Sequence, residues 1–211
     1  MTRILDFLLH FDRSLTMIVG EYGVLTYGIL FAVIFVETGF IIVPFLPGDS
    51  LLFTAGTIGA LGALNIWILA PLLTIAAVAG DSVNYAIGRR LGEVALRRGK
   101  LLGIPIKQSH IARAEEFYNR YGGKAIVLAR FIPIVRSVIP FVAGVGRMRY
   151  TLFLTYNILG AIIWVFGFIL LGYLFGNLPF VRDNYSLAIL GIIAVSFLPT
   201  IFEVIRSRRK K

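Results

Sequence analysis

The 211-residue sequence contains no cysteine, only two histidines and few charged residues. The absence of cysteine excludes disulfide bonds, cysteine zinc sites and a cysteine nucleophile. His10 and His110 are too few for a histidine metal cluster, so we predict no metal site and no cofactor. Charged residues make up 15% and hydrophobic residues 58% of the chain, against about 25% and about 45–50% in soluble domains. This composition predicts an integral membrane protein of one domain, residues 1–211.

Positive charge is concentrated in the second part of the chain. Residues 1–88 carry two basic and six acidic side chains, whereas residues 89–211 carry nineteen and five. Lys and Arg collect on the cytoplasmic side of membrane proteins, so we predict that the basic segment 89–124 and the basic tail 206–211 are cytoplasmic. A basic chain can also bind nucleic acid. No aromatic residues interleave with these clusters as a stacking platform, so we predict no nucleic-acid partner.

Long apolar runs predict the membrane-spanning helices. A span needs about 20 apolar residues, and such runs occur at 65–88, 150–175 and 185–205. The first and the last end in basic clusters and should therefore end in the cytoplasm. Residues 1–20 mix apolar and charged positions, which predicts an amphipathic helix at the membrane interface. Trp67 and Trp164 are expected at lipid-facing or interfacial positions.

Two further apolar segments, 24–57 and 125–146, are broken by prolines and carry two charges of one sign each. Proline removes a backbone donor and clashes with the preceding turn, so a straight helix is costly there. Residues 125–146 lie between a cytoplasmic segment and a span that starts in the cytoplasm, which requires a re-entrant hairpin. The same count makes 24–57 a hairpin that enters from outside, although 24–43 could instead be an ordinary, kinked span. The predicted hairpin breaks are Pro44, Pro47, Gly48, Pro133, Pro140 and Gly144.

The predicted fold is therefore an all-α integral membrane protein. It has two oppositely oriented re-entrant helical hairpins and about three transmembrane helices in an inverted-repeat arrangement, with an N-terminal amphipathic helix. The short stretches 43–48 and 139–144 resemble each other, which suggests a duplication. Inverted repeats with broken helices that meet near the midplane are typical of transporters.

Three ordered motifs resemble the signatures of the DedA family. They are FVETG at 35–39 with PFLPGDSLLF at 44–53, GDSVNYAIGR at 80–89, and ARFIPIVR at 129–136 with PFVAG at 140–144. The resemblance, which extends over about residues 20–205, implies a bacterial inner-membrane protein of the DedA and VTT-domain superfamily. Members of this superfamily are similar to lipid transporters and scramblases, and several are implicated in recycling undecaprenyl phosphate or in envelope maintenance that depends on ion gradients. The family's essential acidic pair maps onto Glu37 and Asp49, and its essential arginines map onto Arg130 and Arg136.

The same four charges stand out on physical grounds. A charge at the bilayer centre costs about 2.5–3.5 kcal/mol, so a protein could hardly tolerate four such charges without partners. Two carboxylates and two guanidiniums sum to zero and can pair with one another. A purely structural salt-bridge network is the simpler alternative, but buried ion pairs are often no better than apolar replacements. Arginine binds phosphate bidentately, so we assign Arg130 and Arg136 to a lipid phosphate and Glu37 and Asp49 to ion or proton coupling.

The second motif carries a polar stripe, since Asp81, Asn84 and Tyr85 share one helix face. The stripe could line the cavity. It could also mark the interfacial end of a span, with Asp81 paired to a basic residue such as Arg89. Both interpretations are open at this point.

These features predict a transporter and no enzyme activity. The first hypothesis is a flippase or scramblase of undecaprenyl phosphate, as the resemblance implies, or of a related anionic lipid, coupled to protons or sodium ions. The alternative is a proton- or sodium-coupled transporter of small solutes or drugs that supports envelope and pH homeostasis. A lipid phosphatase is disfavoured because neither histidine lies in a hairpin. A homo-oligomeric assembly is compatible with the sequence.

Overall fold

The computed structural model describes residues 23–40, 48–98, 100–101, 104–105, 108–176 and 178–179. The described residues form seven helices and one short antiparallel β-hairpin, so the all-helical class is confirmed apart from that hairpin. The elements are α1 (Leu25–Gly39), α2 (Gly48–Ala60), α3 (Ile66–Arg98), β1 (Lys100–Leu101), β2 (Ile104–Pro105), α4 (Gln108–Tyr121), α5 (Lys124–Ala129), α6 (Pro133–Val145) and α7 (Tyr150–Phe175). The predicted segments 1–20, 185–205 and 206–211 lie outside the described residues.

Two of these helices are long and apolar enough to cross a membrane. Their apolar stretches are Ile66–Gly92 in α3 and Tyr150–Phe175 in α7, with 27 and 26 residues. At 1.5 Å per residue each is about 40 Å long, which exceeds the hydrocarbon core of about 30 Å. They coincide with the predicted spans 65–88 and 150–175. However, α3 continues to Arg98, because residues 89–98 are mostly good helix formers.

The two long helices are antiparallel neighbours. The Tyr150 hydroxyl lies 3.3 Å from the Ser82 hydroxyl, and the Asn157 amide donates to the carbonyl of Val78 at 3.1 Å. Residue numbers therefore rise along α3 as they fall along α7. The basic C-terminal end of α3 and the basic N-terminal approach to α7 consequently lie at the same end of the molecule.

The proline-containing segments consist of shorter helices. The first contains α1 and α2, and its predicted breaks at Pro44 and Pro47 lie outside the described residues, while Gly48 begins α2. In the second, α5 ends at Ala129 and α6 begins at Pro133, a first-turn position where the missing N–H costs nothing. Residues 125–146 are thus two helices separated by a three-residue break.

The predicted breaks at Pro140 and Gly144 are wrong, because both residues lie inside α6. Proline inside a membrane helix removes one backbone hydrogen bond, and neighbouring helices can compensate for that loss. A Cβ atom at Gly144 would overlap the carbonyl oxygen of Tyr85 on α3. Gly144 therefore allows close helix packing, and it does not end the helix.

The shorter helices pack on the long pair in a crossed pattern. Helices α1 and α6 pack on α3, whereas α2 and α5 pack on α7, and α3 and α7 pack on each other. One apolar core joins α1, α2, α3 and α7, and a second joins α5 and α6 to Tyr85 and Phe153. Each long helix therefore packs against one helix from each proline-containing segment.

Glycines permit close approach at two of these helix contacts. Between α2 and α7, a Cβ at Gly56 would overlap the carbonyl of Ile169, and one at Gly172 would overlap the carbonyl of Phe53. The same reciprocal contact occurs between α3 and α6, where a Cβ at Gly88 would overlap the carbonyl of Phe141. Small residues at such contacts let helix backbones approach closely, which is how helices commonly associate in membranes.

Candidate functional site

Charged side chains from four helices converge between α3 and α7. They surround an internal cavity of about 10 Å³, enough for about one water molecule. Its lining residues are Glu37, Thr38, Asp81, Ile126, Arg130, Arg136, Ser137, Pro140 and Trp164. Three of the four charges singled out from the sequence thus face one cavity, and the fourth, Asp49, contacts two of the lining side chains.

Arg136 forms a bridge between the two predicted acidic residues. Its guanidinium donates to a carboxylate oxygen of Glu37 and, over 3.2 Å, to a carboxylate oxygen of Asp49. The Glu37 side chain is only 1% exposed, and its Oε1 also accepts from the Gly48 backbone N–H at 3.2 Å. Its other oxygen, Oε2, has no hydrogen-bond partner among the described residues. Gly48 is needed here, because a Cβ would overlap the Glu37 carboxylate.

Arg130 has a different set of partners. It forms an ion pair with Asp81 and donates to the side-chain oxygen of Asn157 at 2.5 Å. Gly160 on α7 leaves space for this arginine, because a Cβ there would lie 3.0 Å from Arg130 Cδ. The side chains of Arg130 and Asp81 are 5% and 7% exposed. Asp81 therefore pairs with Arg130 and not with Arg89.

Among the described residues, the cluster therefore contains five charged side chains and not four, of which Glu37, Asp81 and Arg130 are buried and Asp49 and Arg136 partly buried. Three carboxylates (Glu37, Asp49 and Asp81) are paired with two guanidiniums (Arg130 and Arg136), so the fully ionised cluster has one excess negative charge. The neutral balance expected from the sequence does not hold. One bound proton or monovalent cation would neutralise the cluster.

Trp164 connects the two ion-pair groups. Its ring lies under both guanidiniums, with ring centroid to Cζ distances of 5.8 Å for Arg130 and 5.1 Å for Arg136. Its indole N–H donates to Asp49 at 2.7 Å. The expected lipid-facing position of Trp164 is wrong, because the residue is 1% exposed, whereas Trp67 is 78% exposed. The sequence signal was the spacing of Asn157, Gly160 and Trp164, which puts all three on one face of α7.

The rest of the polar stripe on α3 has other contacts. Asn84 donates to the carbonyls of Ser137 at 2.8 Å and Thr38 at 3.4 Å, which joins α3 to α6 and α1. The Tyr85 hydroxyl donates to the carbonyl of Met148. Of the three stripe residues, only Asp81 lines the inner cavity.

The cluster lies at the level of the middle of both long helices. Asp81 is fifteen residues after Ile66, where α3 begins, and eight before Arg89, the first arginine of its basic end, so about 22 and 12 Å of helix lie on either side of it. At this depth the uncompensated cost of about 2.5–3.5 kcal/mol per charge applies. The ion pairs and the Trp164 contacts are the compensation that the described residues provide.

Comparison with known proteins identifies the family of the chain. The family model for the VTT domain matches residues 46–174. Protein DedA of Escherichia coli strain K12 is 49% identical, over 98% of this chain and 94% of its own length. The chain belongs to the DedA family. The resemblance carried by the three motifs is thereby confirmed.

Other DedA-family relatives are named as membrane proteins. The uncharacterized membrane protein Rv0364 of Mycobacterium tuberculosis strain H37Rv is 39% identical, over 91% of this chain and 84% of its own length. The inner membrane protein YqjA of E. coli K12 is 35% identical, over 72% of this chain and 69% of its own length. No solved structure matches the chain significantly. With its two long apolar helices, this DedA-family chain is a membrane protein.

Proposed function

We propose that this chain is a lipid transporter of the bacterial inner membrane. Its substrate is undecaprenyl phosphate or a related phosphate-bearing lipid, it acts as a flippase or scramblase without chemical conversion of the lipid, and a proton accompanies the lipid. The observation that carries the proposal is a guanidinium shared by two carboxylates at mid-membrane depth. The inner-membrane names of relatives such as YqjA support the location.

The lengths of the short helices support two re-entrant hairpins. Helices α1, α2 and α6 have 15, 13 and 13 residues and α5 has six. At 1.5 Å per residue each measures about 9–22 Å, less than the hydrocarbon core of about 30 Å. The basic ends of α3 and α7 lie together, and we assign that end, with the C-terminal tail, to the cytoplasm.

The crossed packing supports an inverted repeat. Exchange of α1, α2 and α3 with α5, α6 and α7 reproduces the packing, since α1 on α3 becomes α5 on α7, and α2 on α7 becomes α6 on α3. The sequence FTAG at 53–56 of α2 then corresponds to FVAG at 141–144 of α6. The last glycine of each contacts a carbonyl of the opposite long helix. This register replaces the pairing of 43–48 with 139–144 that the sequence alone suggested.

The arginines provide the means to bind a phosphate. A guanidinium presents a planar fork of donors that matches a phosphate as well as a carboxylate. A lipid phosphate that enters the cluster therefore competes with Glu37 and Asp49 for Arg136. Because the cavity of about 10 Å³ is too small for a phosphate, these ion pairs must open for the lipid to enter.

Proton uptake follows when Arg136 no longer pairs with the carboxylates of Glu37 and Asp49. When Arg136 turns to the phosphate, Asp49 keeps the indole N–H of Trp164 as a donor, whereas the described residues leave Glu37 one donor, the Gly48 backbone N–H. An ionised carboxylate is costly in a buried site when it has no cationic partner and only one hydrogen-bond donor. Glu37 therefore takes up the proton, and Asp49 remains ionised.

A proton that moves with the lipid changes the energetics of transport. Movement of one negative charge toward the negative side of a membrane costs about 2.3 kcal/mol per 100 mV. A co-transported proton cancels that cost, so an inward flippase gains from the coupling. A passive scramblase can only equilibrate the lipid between the leaflets.

The proposal is tested by lipid flipping in vesicles. Purified protein is reconstituted with a fluorescent polyprenyl phosphate, and its movement between leaflets is measured with and without a pH gradient. We expect the gradient to accelerate flipping by the wild-type protein, with Arg136→Ala inactive. The matched lipid without phosphate should not move. Equal flipping in protein-free vesicles, or flipping of the lipid without phosphate, would contradict the proposal, and the solute-transporter alternative would then be tested by uptake assays.

A further inference from the structure

A second and larger cavity lies at the basic end of the molecule, apart from the buried charge cluster. Its volume is about 590 Å³, within the range of about 300–1,000 Å³ found for ligand pockets. Its walls include Tyr85, Ala86, Arg89, Arg90, Arg147 and Tyr150. Arg89 and Arg90 lie near the end of the apolar part of α3, and Tyr150 begins α7, so the cavity opens at the level of the membrane interface.

The described side chains that line this cavity carry charge of one sign only. Three arginines contribute to its walls, and none of the described residues that line it is acidic. The inner cavity, in contrast, is lined by the carboxylates of Glu37 and Asp81 as well as by arginines. Three guanidiniums, with no carboxylate among the lining residues that the structure describes, favour an anionic ligand with several acceptor oxygens.

Arg147 is held in a backbone conformation that normally favours glycine. Its φ angle is +51°, the only positive value outside glycine among the described residues. It follows α6 in a helix-ending turn, in which the N–H groups of Arg147 and Met148 bond the carbonyls of Gly144 and Ala143, both at 3.0 Å. Glycine is the usual residue at this position of the turn. An arginine there accepts backbone strain, and such strain is concentrated at functional sites.

Tyr85 fixes the position of the arginines around the cavity. Its hydroxyl donates to the carbonyl of Met148, which anchors the turn that carries Arg147 to α3. The same hydroxyl accepts a hydrogen bond from Arg89 Nη1 at 3.3 Å. The Tyr85 ring also packs on Tyr150, with centroids 5.6 Å apart. Two arginines from different elements are thereby oriented by one buried side chain.

We propose that this cavity binds the phosphate headgroup of an anionic membrane lipid at the cytoplasmic interface, with Arg89, Arg90 and Arg147 as its ligands. Its volume of about 590 Å³ has room for a phosphate group, which the inner cavity of about 10 Å³ does not have. It also lies only one helical turn from the inner cluster, because Tyr85 follows Asp81 by four residues on α3. The binding site stands apart from the transport proposal, because its occupancy can be measured without transport.

Protection of a single thiol tests this proposal at the site itself. The chain has no native cysteine, so Ala86→Cys places one reactive thiol in the cavity wall. Its alkylation by N-ethylmaleimide, which is uncharged, is measured in detergent with dioctanoyl phosphatidic acid, dioctanoylglycerol or inorganic phosphate. We expect the phosphatidic acid to slow alkylation and dioctanoylglycerol to have no effect. Thr151→Cys, an exposed position outside the cavity, is the control thiol and should react equally in all cases.

Arginine variants in the Ala86→Cys background identify the ligands. Arg147→Gln should raise the phosphatidic acid concentration for half-protection by roughly tenfold, the loss expected for one charge-assisted hydrogen bond. Arg149→Gln removes the same charge two residues away, outside the cavity, and should change it little. Arg147→Gly should weaken protection equally, yet its thermal unfolding temperature should not fall, because glycine adopts the positive φ without strain.

The outcomes separate the sources of the phosphate and can overturn the proposal. Protection by phosphatidic acid but not by inorganic phosphate supports a lipid-borne ligand, and protection by both supports recognition of the headgroup alone. Equal protection by dioctanoylglycerol, no protection by either phosphate compound, or equal effects of Arg147→Gln and Arg149→Gln would each overturn it.

Discussion

The two ion-pair groups should respond very differently to loss of one carboxylate charge. Asp81→Asn leaves the buried Arg130 guanidinium with no carboxylate among the described residues, whereas Glu37→Gln leaves Arg136 with its second carboxylate, Asp49. Both substitutions remove one negative charge and nearly preserve volume. We therefore expect Asp81→Asn to destabilise the protein much more than Glu37→Gln.

The magnitudes follow from the geometry. Removal of one partner from a buried ion pair costs about 3–5 kcal/mol. This cost applies to Asp81→Asn because the side chains of Asp81 and Arg130 are both nearly inaccessible to solvent. Glu37→Gln loses an attraction of about 4 kcal/mol to Arg136 at an effective dielectric constant of about 20. It also removes the repulsion between Glu37 and Asp49, which share one guanidinium; two like charges about 5–8 Å apart repel by about 2–3 kcal/mol at the same dielectric constant. The net cost of Glu37→Gln is therefore about 1–2 kcal/mol.

The assay is the free energy of unfolding of both purified variants in mixed detergent micelles. Asp81→Asn should lose several times more stability than Glu37→Gln, and the wild-type protein is the common reference. Equal losses would refute the division into two ion-pair groups. A larger loss for Glu37→Gln would refute the assignment of Asp49 as a second partner of Arg136.

Three further predictions concern other parts of the site and the fold. Trp164→Phe retains an aromatic ring under both guanidiniums but loses the indole N–H that donates to Asp49. The free energy of unfolding should therefore fall by about 1.5–3 kcal/mol, the value of a hydrogen bond to a charged group. An unchanged free energy of unfolding would show that this hydrogen bond does not stabilise the protein. Arg130→Lys and Arg136→Lys should each impair flipping in vesicles more than expression, because an ammonium cannot present a bidentate fork; normal flipping by both would remove the phosphate argument. Gly144→Ala should destabilise by about 1–3 kcal/mol through overpacking, whereas Gly167→Ala, where a Cβ meets nothing within 4 Å, should be neutral or stabilising in the same unfolding assay.

The long helices could be predicted from the sequence because their cause is local. Long, predominantly apolar runs predict α3 and α7, and helix-forming residues extend α3 to Arg98. Proline was a less reliable guide. Pro133 coincides with a helix start, but α6 continues through Pro140, since the surrounding helices and not the proline alone decide whether a helix ends.

The partners within the site could be predicted only in part. The acidic and basic residues were identified from charge at membrane depth, but Asp81 and Arg130 are 49 residues apart and meet only because α3, α5 and α7 pack together. The role of Trp164 was missed for the same reason. A tryptophan in an apolar run has the same local signal whether it faces lipid or covers two arginines.

Proton uptake on lipid binding tests the central claim most directly. Purified protein in weakly buffered detergent is mixed with dioctanoyl phosphatidic acid, and the change in pH is recorded for the wild-type protein and for Glu37→Gln. The difference between the two cancels the ionisation of the lipid itself. If Arg136 leaves Glu37 for the phosphate, the wild-type protein should take up about one proton more per bound lipid than the variant, as expected when a buried carboxylate loses its charged partner. Equal uptake by the two proteins at equal lipid occupancy would contradict the exchange of Arg136 between carboxylate and phosphate.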